Sequence, residues 1–291
     1  MTSKVIKPII VFGTGRSGTT IFHQMLSEHP NVAWLSGFCN RYPDKPILNR
    51  LLMKLLEYPF IEKILRKKFR PREGYEFWEY YCKGFRAPCR DLLASDVTIK
   101  VKKNILDAMS KLMTEKRNRL LIKITGWPRI GFFSEIVPDA KFIHVIRDGR
   151  AVANSLINVK FWRGWGGPEK WRWGPLPKVY QEEWNNYNKS FIVLAAIQWK
   201  ILMDAAEEAK KHLKKSSILE VKYEELCADP IGVFLKVAEF CEIEWNSYFE
   251  NRLKQYKLKN ANNKYKQELT PSQQKDLETV LNSHLKKYGY L

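Results

Sequence analysis

Apolar positions along the chain form two kinds of pattern. Short apolar runs predict β-strands at 8–12, 120–124, 141–146 and 217–221. The first run is continuously apolar, as is typical of strands that are covered on both faces. Between the runs, apolar residues recur at helical spacing, notably over 17–27 and over about 180–214, which we interpret as one long amphipathic helix. Alternating strands and helices predict an α/β fold with a central parallel sheet flanked by helices on both faces.

Two segments depart from this alternation. Residues 45–115 are helical in pattern and strongly basic, with Lys and Arg crowded into 63–72. Residues 160–178 are rich in Trp, Gly and Pro and predict a loop. Because the chain has neither internal repeats nor a low-complexity linker, we predict a single domain over 1–291 that carries the basic helical segment as an insertion.

Charge and cysteine content narrow the cellular setting. The formal net charge of the 291 residues is +19, which implies an anionic partner such as nucleic acid, an acidic membrane surface or a charged small ligand. The five cysteines are widely spaced and form no CxxC pair, which favours free thiols in a reducing compartment and argues against a zinc site. With no signal sequence and no apolar run long enough to span a bilayer, we expect a cytoplasmic protein.

A glycine-rich loop follows the first predicted strand. The sequence over 13–20, GTGRSGTT, has the glycine spacing of a phosphate-binding loop. In this chain two hydroxyl residues follow the second of the spaced glycines. Thr19 stands where a loop that binds ATP or GTP carries lysine. Arg16 supplies a permanent positive charge, and the N–H groups of the loop backbone and the dipole of the following helix point at an anion. The loop therefore predicts a site for a phosphate-like group other than a triphosphate.

A second candidate anion site follows the strand at 141–146. Arg147 comes directly after this strand, at the end where ligands of open α/β sheets bind. Ser155 lies eight residues later, about two turns into the next helix. A guanidinium fork and a hydroxyl suit a phosphate monoester. The alternative is a helix cap in which Arg147 pairs with a core carboxylate.

Together, the two motifs resemble those of the sulfotransferase superfamily, which uses 3′-phosphoadenosine-5′-phosphosulfate (PAPS) as donor. The likeness is closest to the protein-tyrosine and carbohydrate branch, which has arginine in the loop, and it extends over 16–30 and 142–155. It implies a three-layer P-loop-type fold and metal-free, in-line transfer of a sulfuryl group to an acceptor hydroxyl, with adenosine 3′,5′-bisphosphate (PAP) as product. The resemblance assigns the 5′-phosphosulfate to the loop residues Arg16, Ser17, Gly18, Thr19 and Thr20. It assigns the 3′-phosphate to Arg147 and Ser155.

Three further positions match the family in the same order along the chain. Lys123 corresponds to a strand lysine that contacts the transferring sulfuryl group, where it and Arg16 would stabilise developing charge on the bridging oxygen. Tyr223 corresponds to a tyrosine near the adenine side, and Lys264 to a late lysine that closes over the cofactor. The alternative for Lys123 is a charge at a strand end that faces solvent.

The general base is not evident from the motifs. This branch of the family uses a glutamate shortly after the first helix, whereas 34–41 carries no carboxylate. Asp44 is the nearest acidic residue and is our candidate base, with an ordinary surface carboxylate as the alternative. Glu28 and His29 precede the stretch, and we expect His29 to stabilise the turn at Pro30.

The acceptor is expected to be a carbohydrate, a glycolipid or another small molecule. Glycines beside the tryptophans of 160–178 favour either a mobile lid over a sugar or lipid or rings that pack the loop onto the protein. Three interpretations stay open for 63–72: a solvated helix end, a guide for an anionic acceptor, or a contact with an acidic membrane surface. The alternative functions are a P-loop kinase or hydrolase, which would need lysine at position 19, and a nucleic-acid-binding protein, which would need a basic-aromatic platform or helix motif that we do not find.

Overall fold

The computed structural model describes residues 4–86 and 89–291. In this part of the chain the strands are β1 Ile9–Gly13, β2 Val32–Trp34, β3 Arg119–Thr125, β4 Lys141–Ile146 and β5 Ile218–Lys222. They form one five-stranded sheet in the order β2-β3-β1-β4-β5, and all four strand pairings are parallel. The predicted α/β fold with a central parallel sheet is confirmed.

The predicted strands agree closely with the observed ones. β4 has the predicted bounds, and β1, β3 and β5 lie within one residue of theirs at each end. The sequence pattern misses β2, because three residues are too few to show a periodicity. β2 is fully buried at the edge of the sheet, where it pairs with β3.

Helices make up most of the rest of the described chain. The first nine are α1 Thr19–Leu26, α2 Gly37–Arg41, α3 Ile47–Leu55, α4 Pro59–Lys68, α5 Tyr75–Tyr81, α6 Ile99–Ser110, α7 Ile130–Ile136, α8 Gly149–Ile157 and α9 Lys178–Asn186. They are followed by α10 Phe191–Lys210, α11 Tyr223–Ala228, α12 Pro230–Cys241, α13 Ser247–Leu253, α14 Lys264–Glu268 and α15 Pro271–Lys287. Short 3₁₀ turns occur at Ala94–Asp96, Arg163–Gly166 and Lys215–Ser217.

Helices cover both faces of the sheet, as the continuous apolar pattern of β1 requires. Successive side chains of a strand point to opposite faces, so Ile10 and Phe12 pack with the side of the protein that contains α5, α6 and α7. Ile9 and Val11 pack on the other side, against α1 and α12. A third group of buried residues joins α8, α10 and α15 beside the sheet. The result is the three-layer arrangement expected from the sequence.

The predicted long helix over about 180–214 is wrong. The chain forms two helices there, α9 and α10, which are separated by a turn. Asn188 and Lys189 in this turn have φ values of 51° and 55°, and this left-handed backbone cannot continue a right-handed helix. Most of the first thirteen residues of α10 are buried, so it is a core helix rather than an amphipathic surface helix.

The basic segment 45–115 is helical, as predicted, and contains α3 to α6. Pro59 occupies the first turn of α4, where the missing N–H costs no helical hydrogen bond. Several large apolar side chains of α3 and α4 are nevertheless exposed, including Leu51, Phe60 and Ile64. Among the helices of the described residues, none combines the length and the apolar character needed to cross a bilayer.

Candidate active site

The two predicted anion sites meet at one point of the sheet. β1 and β4 are neighbours, but the chain continues from β1 towards β2 and from β4 towards β5, on opposite sides. Ligands of parallel sheets bind at such a switch point, outside the carboxyl ends of the strands. The loop 13–20 leaves β1 here, and Arg147 leaves β4.

The loop has a backbone that depends on glycine at one position. Gly18, which caps α1, has a φ of +89°, in the left-handed region. A Cβ atom at this position would lie 2.3 Å from Cδ2 of Tyr223, so the absence of a side chain lets the Tyr223 ring pack against the loop. Ser17 and Thr19 are buried, and the Ser17 hydroxyl is hydrogen-bonded to that of Thr14.

Arg147 is held against the loop by several contacts. Its Nη1 donates to the carbonyl oxygen of Arg16 at 3.0 Å, and its Nε donates to Oδ1 of Asn262 at 2.8 Å. Its Cζ lies 4.6 Å from the centre of the Tyr223 ring. Burial lowers the pKa of Arg147, partly offset by Tyr223 and Glu224. The guanidinium is therefore positioned by neutral and aromatic groups.

The helix-cap alternative for Arg147 is not what the structure contains. The Asp148 carboxylate caps α8 by accepting the backbone N–H of Arg150 at 2.9 Å. The same carboxylate pairs with the Arg150 guanidinium, at 2.7 Å. Arg150 therefore takes the carboxylate that could have held Arg147 in a cap.

The structure also brings Ser155 into this group, because Nε of Arg16 donates to Oγ of Ser155 at 2.9 Å. Tyr223 lies on the other side of the loop, where its hydroxyl donates to the carbonyl oxygen of Lys259 at 3.1 Å. Lys264 is exposed at the start of α14. In the same segment, Asn262 contacts Arg147 through its side-chain oxygen. The side-chain nitrogen of Asn262 donates to Glu224. No sequence motif pointed to Asn262, apart from its place two residues before Lys264.

Lys123 does not face solvent, contrary to the alternative interpretation. Only 5% of the residue is exposed, although its ammonium group lies at the carboxyl end of β3. Nζ donates to Oγ1 of Thr20 at 2.7 Å and lies 2.7 Å from Oε1 of Glu73. Burial, and next the charge of Lys123, lower the pKa of His23 on α1, so that this imidazole is neutral.

A cavity of about 600 Å³ opens beside the loop, and its wall includes Thr20 and Glu73, the two residues that Lys123 contacts. Its inner wall includes Arg16, Thr19 and Thr20 of the loop and α1. Its outer wall is mainly aromatic and cationic and includes Trp127, Phe161, Trp162, Trp171, Trp173, Arg129, Arg163 and Arg172. Such a mixture of flat apolar surfaces and a few polar groups is typical of small-molecule sites.

The tryptophans of 160–178 mostly pack the loop onto the protein. Trp162 and Trp171 are buried, and Nε1 of Trp162 donates to Oε1 of Gln198 on α10 at 2.8 Å. Trp173 lies over Gly126, directly after β3, where a Cβ atom would come within 2.6 Å of two ring carbons. The φ of Gly126 is +103°, so this position also favours glycine. Phe161, which is 71% exposed, remains at the cavity rim.

The carboxylates differ from those expected for the base. Asp44 is exposed, in the turn before α3, and is not among the residues that line the cavity. Glu28 is structural, since it accepts hydrogen bonds from Arg252 at 2.7 Å and from Tyr256 at 2.8 Å. Glu73, which the sequence motifs did not single out, lines the cavity beside Lys123. It lies in the basic segment just before α5, far along the chain from the stretch in which a base was expected.

Comparisons with known proteins indicate one family. Residues 8–247 match the Sulfotransferase family. The chain is 22% identical over 239 residues to a protein-tyrosine sulfotransferase of Drosophila melanogaster, covering 82% of this chain and 38% of that protein. It is 25% identical over 243 residues to protein-tyrosine sulfotransferase A of Caenorhabditis elegans, covering 82% and 50%. The chain thus spans half or less of the length of these two relatives.

The fold is also found among solved structures. A crystal structure of a sulfotransferase from Mycobacterium avium superposes with a TM-score of 0.61 at 17% identity, over 97% of this chain and 77% of that one. At this identity the likeness concerns the fold, whereas the match over 8–247 concerns the sequence itself. The chain therefore belongs to the Sulfotransferase family.

Proposed function

We propose that this protein is a PAPS-dependent sulfotransferase that transfers a sulfuryl group to a hydroxyl of a small-molecule, carbohydrate or glycolipid acceptor. The observation that carries the proposal is the convergence of Arg16, Arg147, Ser155 and Lys123 around one loop, next to an aromatic cavity. A phosphosulfate donor carries negative charge on its 3′-phosphate and on its 5′-phosphosulfate. The site offers Arg147 for the first group and Arg16 with Lys123 for the second.

The binding roles follow from the positions of the cations. Arg147 and Ser155 hold the 3′-phosphate, because a planar guanidinium and a hydroxyl can share the oxygens of a monoester. The loop residues Arg16 to Thr20 hold the 5′-phosphosulfate with backbone N–H groups at the start of α1. Tyr223, which packs on Gly18 and Arg147, supplies a flat surface for the nucleoside, and Lys264 closes over it from the exposed start of α14.

Catalysis by this site is electrostatic. The donor supplies a sulfuryl group on an acidic phosphate leaving group, and charge builds on the bridging oxygen as that bond breaks. Arg16, which lines the cavity, is held by Ser155, and the buried Lys123 is held by Thr20 and Glu73, so both cations can stabilise this charge without moving. Thr19 in place of a lysine fits this use, because there is no β/γ-phosphate to bind.

The acceptor occupies the cavity beside Lys123. Its rings, including Trp127 and Trp173, offer flat apolar faces against which a sugar, a lipid or a phenol can pack. Two relatives are protein-tyrosine sulfotransferases, so a tyrosyl peptide belongs in the same screen. A labelled-donor screen over sugars, glycolipids, steroids and tyrosyl peptides identifies the class.

Ligand-induced stabilisation tests the donor. We expect PAP to raise Tm in the absence of metal, by roughly 5–10 °C at a hundredfold excess over Kd, where the linkage free energy is about 2.7 kcal/mol. Mg-ATP should have little effect, because Thr19 replaces the lysine of nucleotide-triphosphate loops. Stabilisation by Mg-ATP with none by PAP would favour the kinase or hydrolase alternative.

Arg147→Ala tests the assignment of the 3′-phosphate. A charge-assisted hydrogen bond is worth about 1.5–3 kcal/mol, so calorimetry should show PAP binding weakened by roughly ten- to a hundredfold. Adenosine 5′-monophosphate, which has no 3′-phosphate, should lose much less. Equal losses for both nucleotides would mean that Arg147 does not bind the 3′-phosphate.

We further propose a cytoplasmic protein that contacts an acidic membrane surface through α3 and α4. Phe60 is 82% exposed and Ile64 is 61% exposed, and the exposed Lys54, Lys63 and Lys68 lie on the same two helices. Exposed apolar side chains among lysines are complementary to an anionic lipid surface, which accepts both. This contact is independent of the donor site.

A further inference from the structure

We propose that Glu73 is the general base of the reaction. The proposal rests on the sulfotransferase function proposed above and supplies the carboxylate that the stretch 34–41 lacks. In this proposal Glu73 accepts the proton of the acceptor hydroxyl. The sequence motifs pointed only to Asp44 for that role.

Glu73 stands where the two halves of the site meet. Its Oε1 lies 2.7 Å from Nζ of Lys123 and accepts a hydrogen bond from Oγ1 of Thr125 at 2.9 Å. Lys123 in turn binds Thr20 of the donor side, so Glu73 is one contact away from that side. The Glu73 side chain is 24% exposed and lines the cavity proposed for the acceptor. An acceptor hydroxyl in the cavity can therefore reach this carboxylate, which is itself in contact with Lys123.

The backbone around Glu73 is fixed, which a base needs to keep its position. The Arg72 N–H donates to the carbonyl oxygen of Leu35 at 2.7 Å, and Nε1 of Trp78 donates to the carbonyl oxygen of Glu73 at 3.0 Å. Two residues after Glu73, the Tyr75 hydroxyl donates to the carbonyl oxygen of Thr125 at 2.9 Å. Burial, followed by the nearby Glu73 charge, raises the pKa of Tyr75. Tyr75 is therefore a neutral phenol that anchors the segment to β3.

The other acidic and imidazole groups fit the role less well. Among the described residues that line the cavity, the one other carboxylate is Glu76, which pairs with Arg86 at 2.6 Å and is 41% exposed. His23 is 1% exposed and does not line the cavity, and burial lowers its pKa. Asp44 lies outside the cavity wall.

The step balances without any further reactant. The acceptor O–H bond breaks, and its proton moves to Oε2 of Glu73, since Oε1 already has the contacts with Lys123 and Thr125. The acceptor oxygen forms a bond to sulfur as the bond between sulfur and the bridging oxygen breaks. The electron pair of that bond stays on the phosphate of the leaving PAP, next to Lys123 and Arg16. Glu73 then releases the proton to solvent.

Glu73→Gln tests the proposal, with two phenols as probe acceptors. Phenol must lose its proton during transfer, whereas p-nitrophenol is largely ionised at mildly alkaline pH and needs no base. General base catalysis contributes about 10²–10⁴-fold, so we expect kcat with phenol to fall by at least about a hundredfold and kcat with p-nitrophenol to fall much less. A residue that merely supports the structure would reduce both rates alike. If the wild type uses neither phenol, donor hydrolysis is measured instead, because the attacking water must also lose a proton.

Two further variants separate the base from its surroundings. Glu76→Gln removes the other cavity carboxylate and should cause a far smaller loss than Glu73→Gln. Asp44→Asn tests the base suggested by the sequence, and a hundredfold loss there with an active Glu73→Gln would overturn the proposal. Equal losses with phenol and p-nitrophenol, or retained hydrolysis, in Glu73→Gln would overturn it as well.

PAP binding distinguishes this proposal from the proposed function. Glu73→Gln removes a negative charge beside Lys123, so calorimetry should show PAP bound as tightly as by the wild type or more tightly. If the wild type does not bind PAP, the sulfotransferase function fails. If PAP binds normally to both proteins and the rates of Glu73→Gln are those of the wild type, only the assignment of Glu73 fails.

Discussion

Gly18→Ala is the sharpest test of how the loop 13–20 is built. The φ of +89° is in a region that costs a non-glycine residue about 1–2 kcal/mol, and a Cβ atom would lie 2.3 Å from the Tyr223 ring, which must then move. Overpacking of this kind costs about 1–3 kcal/mol. Alanine also lowers the conformational entropy of the unfolded chain, which offsets about 0.4–1 kcal/mol of this loss in stability. We therefore expect a net loss of about 1–4.5 kcal/mol in the free energy of unfolding, or roughly 2–18 °C in Tm.

Gly18→Ala should also weaken the site. Displacing the Tyr223 ring removes its contact with the Arg147 guanidinium, which at 4.6 Å is worth about 0.5–2 kcal/mol. Calorimetry should therefore show PAP binding reduced by about tenfold. Gly15→Ala is the matched control for stability in the same loop, because its Cβ atom would meet only Cγ2 of Thr125, at 3.8 Å, and its φ is not in the left-handed region. If urea denaturation gives both variants the same stability, the account of Gly18 is wrong.

The remaining predictions concern stability in acid and the membrane. Burial alone would raise the pKa of Glu62, but a hydrogen bond from Tyr248 and the charges of Arg66 and Arg117 lower it overall. The ionised Glu62 therefore stabilises the folded protein above its unfolded pKa of 4.5, and this stabilisation is lost as pH falls below that value. Urea midpoints between neutral pH and about pH 3 should therefore fall more steeply for the wild type than for Glu62→Gln, and parallel slopes would contradict this. For the membrane contact, the protein should sediment with phosphatidylglycerol vesicles and not with phosphatidylcholine vesicles, and Phe60→Ser with Ile64→Ser should abolish this. Leu235→Ser, at an exposed position on α12, is the control and should still sediment; loss of binding in this variant too would mean that α3 and α4 are not the contact.

The fold and the meeting of the two anion-binding motifs could largely be predicted from local sequence. β1, β3, β4 and β5 show in the apolar pattern because parallel strands are buried on both faces. The loop 13–20 and Arg147 could be assigned because each directly follows such a strand, and the carboxyl ends of parallel strands share one edge. The errors fall where local patterns are ambiguous. β2 is too short to show a period, and the break between α9 and α10 rests on two residues with positive φ.

The sequence by itself determined the parallel sheet, the phosphate-type loop and the absence of the usual lysine at Thr19. These features depend on residue type and on neighbouring positions along the chain, and both can be read from the sequence. Only the tertiary structure decided that Lys123 is buried against Thr20, that Asn262 holds Arg147, and that Glu73 lies in the cavity while Asp44 does not. Glu73 and Lys123 are fifty residues apart in sequence, and their meeting depends on how the basic segment packs against β3. Contacts across such separations are fixed by packing and burial, which no local pattern specifies.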